Sequence, residues 1–122
     1  MLKGMKKSVL IIEDDECTLE ILGYITESLN FNPTLKSGVV PLTEIEEISP
    51  DLILLDHKLR DELGGNLCRS LKQHQKTKDI PVVIFSASRE ANLVAEKCGA
   101  DGFFPKPFDI ADFEQLLNTY LG

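Results

Sequence analysis

Five short apolar runs alternate with five segments of helical character along the 122 residues, and this alternation constrains the fold more than any other feature. Ser8 to Ile12 (SVLII) is a continuous apolar run, as a strand buried on both faces should be. Leu19, Leu22, Ile25 and Leu29 then recur at helical spacing, and Asn30-Phe-Asn-Pro closes that helix. A weaker strand follows around Thr34 to Lys36, and Pro33, which cannot donate to a ladder, predicts an edge position for it. Pro41 suits the first turn of a short second helix running to about Ile48. Asp51-Leu-Ile-Leu-Leu-Asp56 is the next buried strand, entered through Ser49-Pro50. Gly64-Gly65 precedes a third helix carrying Leu67, Cys68 and Leu71. Pro81 to Phe85 is the fourth strand, and Arg89 to Cys98 the fourth helix, with Gly99 as its stop. Gly102-Phe-Phe is a short fifth strand, and Asp109 caps a last helix with a core face of Ile110, Phe113, Leu116, Leu117 and Tyr120.

Regular strand–helix alternation with fully apolar strands predicts a three-layer α/β, doubly wound parallel five-stranded sheet with helices on both faces. The length fits one domain over 1–122, with 1–7 as a flexible N-terminal lead. The longest apolar stretches, such as Leu52 to Leu55, are far too short to cross a bilayer. The basic start of the chain is followed by an apolar run that breaks at Glu13, and it lacks the longer apolar region of a secretory signal. The expectation is a cytoplasmic protein that does not bind membranes.

The net charge of −7 leaves no Lys/Arg cluster to track a nucleic-acid backbone, so direct nucleic-acid binding is not expected. Cys17, Cys68 and Cys98 are odd in number and widely spaced, which argues against a disulfide framework or a zinc site. Buried or half-buried thiols in a reducing compartment are the plain reading; Cys17 stands apart in the first turn of a helix, where a thiolate is favoured.

In such sheets ligands bind beyond the carboxyl ends of the strands. There the sequence places Glu13-Asp14-Asp15-Glu16 after the first strand, Asp56 at the end of the third, Ser86 after the fourth and Lys106 after the fifth. Charged residues often follow strands simply as solvated loop starts. Carboxylates, a hydroxyl and a lysine at successive strand ends are instead the parts of a site. Three carboxylates brought close either take up protons or hold a cation. Mg²⁺ suits such oxygen ligands.

The segments VLIIEDDE, SPDLILLD, LGGNLCRSLK, IPVVIFSAS and CGADGFFPKPFD agree in order and spacing with the receiver domains of two-component response regulators, which the chain resembles over nearly its whole length. The resemblance implies the flavodoxin-like strand order 2-1-3-4-5. It implies that Glu13 and Asp14 bind Mg²⁺, with Mn²⁺ as a substitute, and that Asp56 is the phosphorylated aspartate. The backbone carbonyl of Lys58 would be a further metal ligand, Ser86 and Lys106 would contact the phosphoryl group, and Ser86 with Phe103 would form the switch. A cis Lys106–Pro107 bond is also implied. The donor would be a sensor histidine kinase or a histidine phosphotransfer protein, and the output a downstream protein whose identity the sequence does not give. On this reading the chain is not an enzyme beyond self-catalysed phosphotransfer and autodephosphorylation, and it carries no output domain of its own.

Several positions depart from the family pattern. Arg60 stands where many receivers have proline, and Arg60-Asp61-Glu62 makes that loop unusually charged. The stretch from Ser86 to Gly99 is slightly short, and Phe103 lacks the hydroxyl of the usual Tyr. The Lys58 side chain is expected to overlook the phosphoryl group, whereas His57 should turn to the opposite face of its strand and His74 should lie on the surface. The alternative function is a receiver-like interaction adaptor that is never phosphorylated. A dehalogenase-like phosphatase using Asp14 finds only Glu16 as an approximate partner acid. A flavodoxin-like carrier would need a neutral, amide-rich loop after the first strand, not four successive acids.

Overall fold

The computed structural model describes residues 6–58, 64–87 and 91–122. Five strands form one sheet in the order β2-β1-β3-β4-β5: β1 (Ser8–Ile12), β2 (Asn32–Lys36), β3 (Leu52–Asp56), β4 (Val82–Ser86) and β5 (Gly102–Pro105). Every pairing is parallel. The strands alternate with α1 (Glu16–Ser28), α2 (Leu42–Ile48), α3 (Gly64–Gln73), α4 (Ala91–Cys98) and α5 (Ile110–Leu121). The flavodoxin-like order implied by the resemblance is the one observed.

Strand alternation sorts the core into two layers. Leu10, Ile12, Ile53, Leu55, Val82 and Ile84 pack against Ile45, Leu67, Leu71 and Ala95 of α2, α3 and α4. Val9, Ile11, Leu52, Leu54, Val83 and Phe85 pack against Leu19, Leu22 and Ile25 of α1 and Phe113, Leu117 and Leu121 of α5. Both faces of β1, β3 and β4 are therefore covered, which is why these strands are apolar without interruption. β2 is an edge strand, and it includes Pro33.

Asp15 caps α1, its side chain accepting from the Thr18 amide, and Asp109 caps α5 by accepting from the Asp112 amide at 2.8 Å. Gly99 stops α4 with φ +80°, a conformation that costs glycine little.

Some expectations are corrected. Gly64 and Gly65 form the first turn of α3 and do not precede it. The fourth strand begins one residue later, at Val82, and runs through Ser86. Ile110 is 58% exposed and not part of the α5 core face. It stands at the open N-terminal end of that helix, while Leu117 and Leu121 extend the face of Phe113 at steps of four. Cys17 is exposed, and only Cys68 and Cys98 are buried. His74 is half-buried, its ring against the Glu46 carboxylate. Residues 1–5 of the expected N-terminal lead, the Arg60-Asp61-Glu62 loop and Arg89 lie outside the described residues.

Candidate functional site

The strand registers stack the site residues on one level. Ile12 pairs with Leu55, so Glu13 follows β1 at the height of Asp56. Asp56 pairs with Phe85, which puts Ser86 one step beyond; Ser86 pairs with Pro105, which puts Lys106 one step beyond that. The Lys106 amide donates to the Ser86 carbonyl at 3.0 Å, tying the lysine to the end of β4. The bond from Lys106 to Pro107 is cis.

Glu13, Asp14 and Asp56 each offer a carboxylate oxygen within 4.8 Å of the others. Glu13 is 1% exposed and Asp56 5%. Glu13 Oε1 accepts from Lys106 Nζ at 2.7 Å, and Oε2 accepts from the Asp15 amide at 3.0 Å. Asp56 Oδ2 lies 3.5 Å from Lys106 Nζ, and Oδ1 accepts from the Lys58 amide at 3.3 Å. The ammonium also stands 4.9 Å over the Phe85 ring.

Burial pushes the Glu13 carboxyl above the usual range; the Lys106 and Asp15 hydrogen bonds oppose this without overcoming it, and Asp56 adds to the rise. Burial acts to lower Lys106, but its hydrogen bond to Glu13 and the charges of Asp56 and Glu13 outweigh it, so the ammonium is held above its ordinary value. These directions agree: a crowded acid cluster favours any bound positive charge. Three carboxylates against one ammonium leave two negative charges, the complement of a divalent cation. The donors are all oxygens, which suits Mg²⁺ or Mn²⁺ over softer metals.

Of the remaining candidates, Ser86 is buried at the end of β4 and Phe103 is half-buried against the α3/α4 layer beside Ile84, its partner in register. By strand alternation Ser86 and Phe103 share that face. The Lys58 side chain is exposed.

His57 does turn away from the acceptor. A methyl placed at Gly65 would lie 3.6 Å from its ring, so His57 fills the space before α3. Its Nδ1 is buried with no hydrogen-bond partner among the described residues. Burial, with the Lys58 charge, holds its pKa below the ordinary value. Nothing in the sequence signals that environment, because it depends on α3 closing over the strand.

A further network was missed. Lys72 Nζ donates to the Ile80 carbonyl at 2.7 Å and pairs with Asp101 Oδ2 at 2.7 Å, and the same oxygen accepts from the Val82 amide at 2.8 Å. This clamp joins α3 to the amino ends of β4 and β5, far from the carboxylates.

A family model, the response regulator receiver domain, matches residues 9–118. The polar-differentiation response regulator DivK of Brucella ovis is 28% identical over 122 residues, covering 97% of this chain and 98% of its own. A CheY-like response regulator receiver domain protein of Methanospirillum hungatei superposes with a TM-score of 0.86 at 23% identity, over 96% of this chain and 94% of its own. The receiver domain of the sensor histidine kinase PA1611 of Pseudomonas aeruginosa, solved with a magnesium ion coordinated in its active-site cleft, superposes at 0.80 with 19% identity, over 97% and 99%. At those identities the two structures establish the shared fold. The family match runs from within β1 to within α5 and spans every strand end that bears a site residue, and the chain belongs to the response regulator receiver domain family.

Proposed function

We propose that this receiver domain is a phosphorylation-controlled switch in which Asp56 accepts a phosphoryl group in a Mg²⁺-dependent reaction. The observation that carries the reading is the convergence of Glu13, Asp14 and Asp56 within 4.8 Å, with Lys106 laid across them. Glu13, Asp14, Asp56 and the Lys58 backbone carbonyl would hold the ion, for which Mn²⁺ would substitute. When bound, the ion supplies charge neutralisation and alignment of the phosphoryl oxygens. The magnesium in the Pseudomonas receiver domain supports that assignment.

The protein's own groups do the rest. Asp56 Oδ attacks phosphorus and becomes an acyl phosphate, the P–O or P–N bond to the donor breaking in the same step. The Lys58 amide, already on Asp56 Oδ1, keeps the carboxylate from rotating. Lys106 shifts from Glu13 toward the arriving phosphoryl oxygens, and the Ser86 hydroxyl donates to one of them. Phe103, on the face of Ser86, then adjusts its packing, and the surface of α4, β5 and α5 changes its affinity for a downstream protein. The donor is a sensor histidine kinase or a histidine phosphotransfer protein, and the setting is two-component signal transduction in the cytoplasm. A receiver domain is not a conventional enzyme; its chemistry is confined to its own aspartate.

The test is intact mass after incubation with acetyl phosphate and Mg²⁺, beside Asp56→Asn and a chelated control. One added phosphoryl group, absent from both controls, is the expected result. No adduct, together with undetectable Mg²⁺ binding, would replace this reading with that of a non-phosphorylated interaction adaptor.

A further inference from the structure

The phosphoacceptor chemistry leaves two buried thiols unused. Cys68 of α3 is fully buried, and Cys98, the last residue of α4, is 4% exposed. Cys68 Sγ donates to the Cys98 carbonyl at 3.6 Å, and Cys98 Sγ donates to the Ala95 carbonyl at 3.5 Å. Burial pushes the Cys68 thiol up, and the neighbouring Cys98 adds to the rise. Thirty positions separate the two in sequence, so the fold alone brings them together.

We propose that Cys68 and Cys98 are a redox pair that forms a reversible intramolecular disulfide fastening α4 to α3. With both helices docked the thiols are buried out of reach of any reagent, and so inert. α4 supplies the access. It has eight residues, and its buried side chains among those described are Ala95 and Cys98, both small. Undocking it bares little apolar surface, so α4 belongs to the parts of the fold that open at low cost. The Leu67, Cys68 and Leu71 side of α3 stays on the sheet.

The chemistry closes with a small-molecule disulfide as oxidant. Bared Cys98 loses its proton, and its sulfur attacks one sulfur of the oxidant, giving a mixed disulfide and one free thiol. While α4 is still undocked, the Cys68 thiol bared with it gives up its proton and its sulfur attacks that of Cys98. The second small thiol leaves with that proton, and α4 redocks over the finished bridge. Two protein S–H bonds are lost and one S–S bond about 2.05 Å long is formed. Two electrons and two protons pass to the oxidant, which becomes two thiols. Cys17 cannot join the exchange within one molecule, since it is exposed on α1 in the opposite layer. In a reducing compartment the bridge is transient, as suits a sensor.

The experiment uses the full chain with Cys17→Ser, which removes the exposed thiol and with it cross-linking between molecules. It is equilibrated with reduced and oxidised glutathione over a range of ratios and then alkylated. Expected is a species about 2 Da lighter with no alkylatable thiol. It should give a peptide joining Cys68 to Cys98, an unchanged circular dichroism spectrum, and a Tm several degrees higher that dithiothreitol reverses. Adding Cys68→Ala should stop the reaction at the Cys98 mixed disulfide. Two free thiols, mixed disulfides alone, or a bridge that forms only with loss of the native spectrum would each overturn the proposal.

Discussion

Lys106 Nζ lies closer to Glu13, at 2.7 Å, than to the acceptor Asp56, at 3.5 Å. The lysine thus occupies with its charge the same acid that a divalent ion would use. Lysine and metal compete for Glu13 until a phosphoryl group gives the ammonium another partner. Lys106→Met should therefore bind Mg²⁺ more tightly while taking up phosphoryl groups more slowly. Screened almost as in bulk water, a unit and a double charge about 6 Å apart repel by about 1.4 kcal/mol, so removing the lysine charge is worth roughly tenfold in affinity. Calorimetric titration with Mg²⁺ checks this, and equal affinities in the two proteins would show that the lysine does not compete.

Gly64 sets the floor beneath the acceptor. Its amide donates to the His57 carbonyl at 2.6 Å, and a β-carbon there would collide with the Asp56 carbonyl oxygen and come within 3.0 Å of its carbon. Both partners are backbone, so neither swings aside. Alanine favours a helix interior by about 1 kcal/mol over glycine, but overpacking costs about 1–3 kcal/mol, so the clash should prevail. Gly64→Ala should lower stability in urea unfolding and slow phosphoryl uptake more than tenfold, since misplacing the nucleophile by about 1 Å costs that much or more. A variant as stable and as quickly phosphorylated as wild type would show that α3 can shift at no cost.

His57 predicts a pH dependence. Its pKa in the fold is held below the ordinary value of 6.5 by burial and by the Lys58 charge. The unfolded chain therefore binds a proton before the folded chain does. Stability is fully present above 6.5 and is lost as pH falls through the folded value. Urea midpoints of wild type and His57→Phe should run parallel above about pH 7 and diverge toward about pH 5, with wild type falling faster. Parallel curves across the whole range would mean that His57 protonates equally well in both states.

The parts of this fold that could be read from sequence are those whose cause is local. Val9 to Ile12 and Leu52 to Leu55 read as strands because burial on both faces demands unbroken apolar residues. Glu13, Asp56, Ser86 and Lys106 read as a site because each stands at a strand end, where the sheet's geometry alone brings them together. What escaped depends on where distant elements meet. Helical periodicity puts Ile110 on the face of Phe113 but does not tell where the core ends. The Lys72–Asp101 clamp joins residues with nothing in common until α3 and β5 are in place. Gly64-Gly65 reads as the lead into the third helix because glycine is a poor helix former, whereas Gly64 is its first residue, with the Asp56 carbonyl pressed against it.

Lys58 bears on how long the signal lasts. Its amide donates to Asp56 Oδ1 at 3.3 Å, which fixes the residue beside the acceptor, while its side chain is exposed. Hydrolysis of an acyl phosphate needs a water in line with the bond to be broken. An ammonium on a flexible stem beside the acceptor can pair with a phosphoryl oxygen and stand in that water's path. Asparagine keeps the backbone contact but removes both charge and reach, so Lys58→Asn should dephosphorylate faster. The pair would be solvent-exposed, which limits the effect to about fivefold, and salt should shrink it further. Single-turnover loss of the phosphoryl group, followed by intact mass at low and high ionic strength, measures both. Equal rates in the two proteins would place the Lys58 ammonium in solvent throughout the cycle, and the lifetime would then be set by Asp56, Ser86 and Lys106 without it.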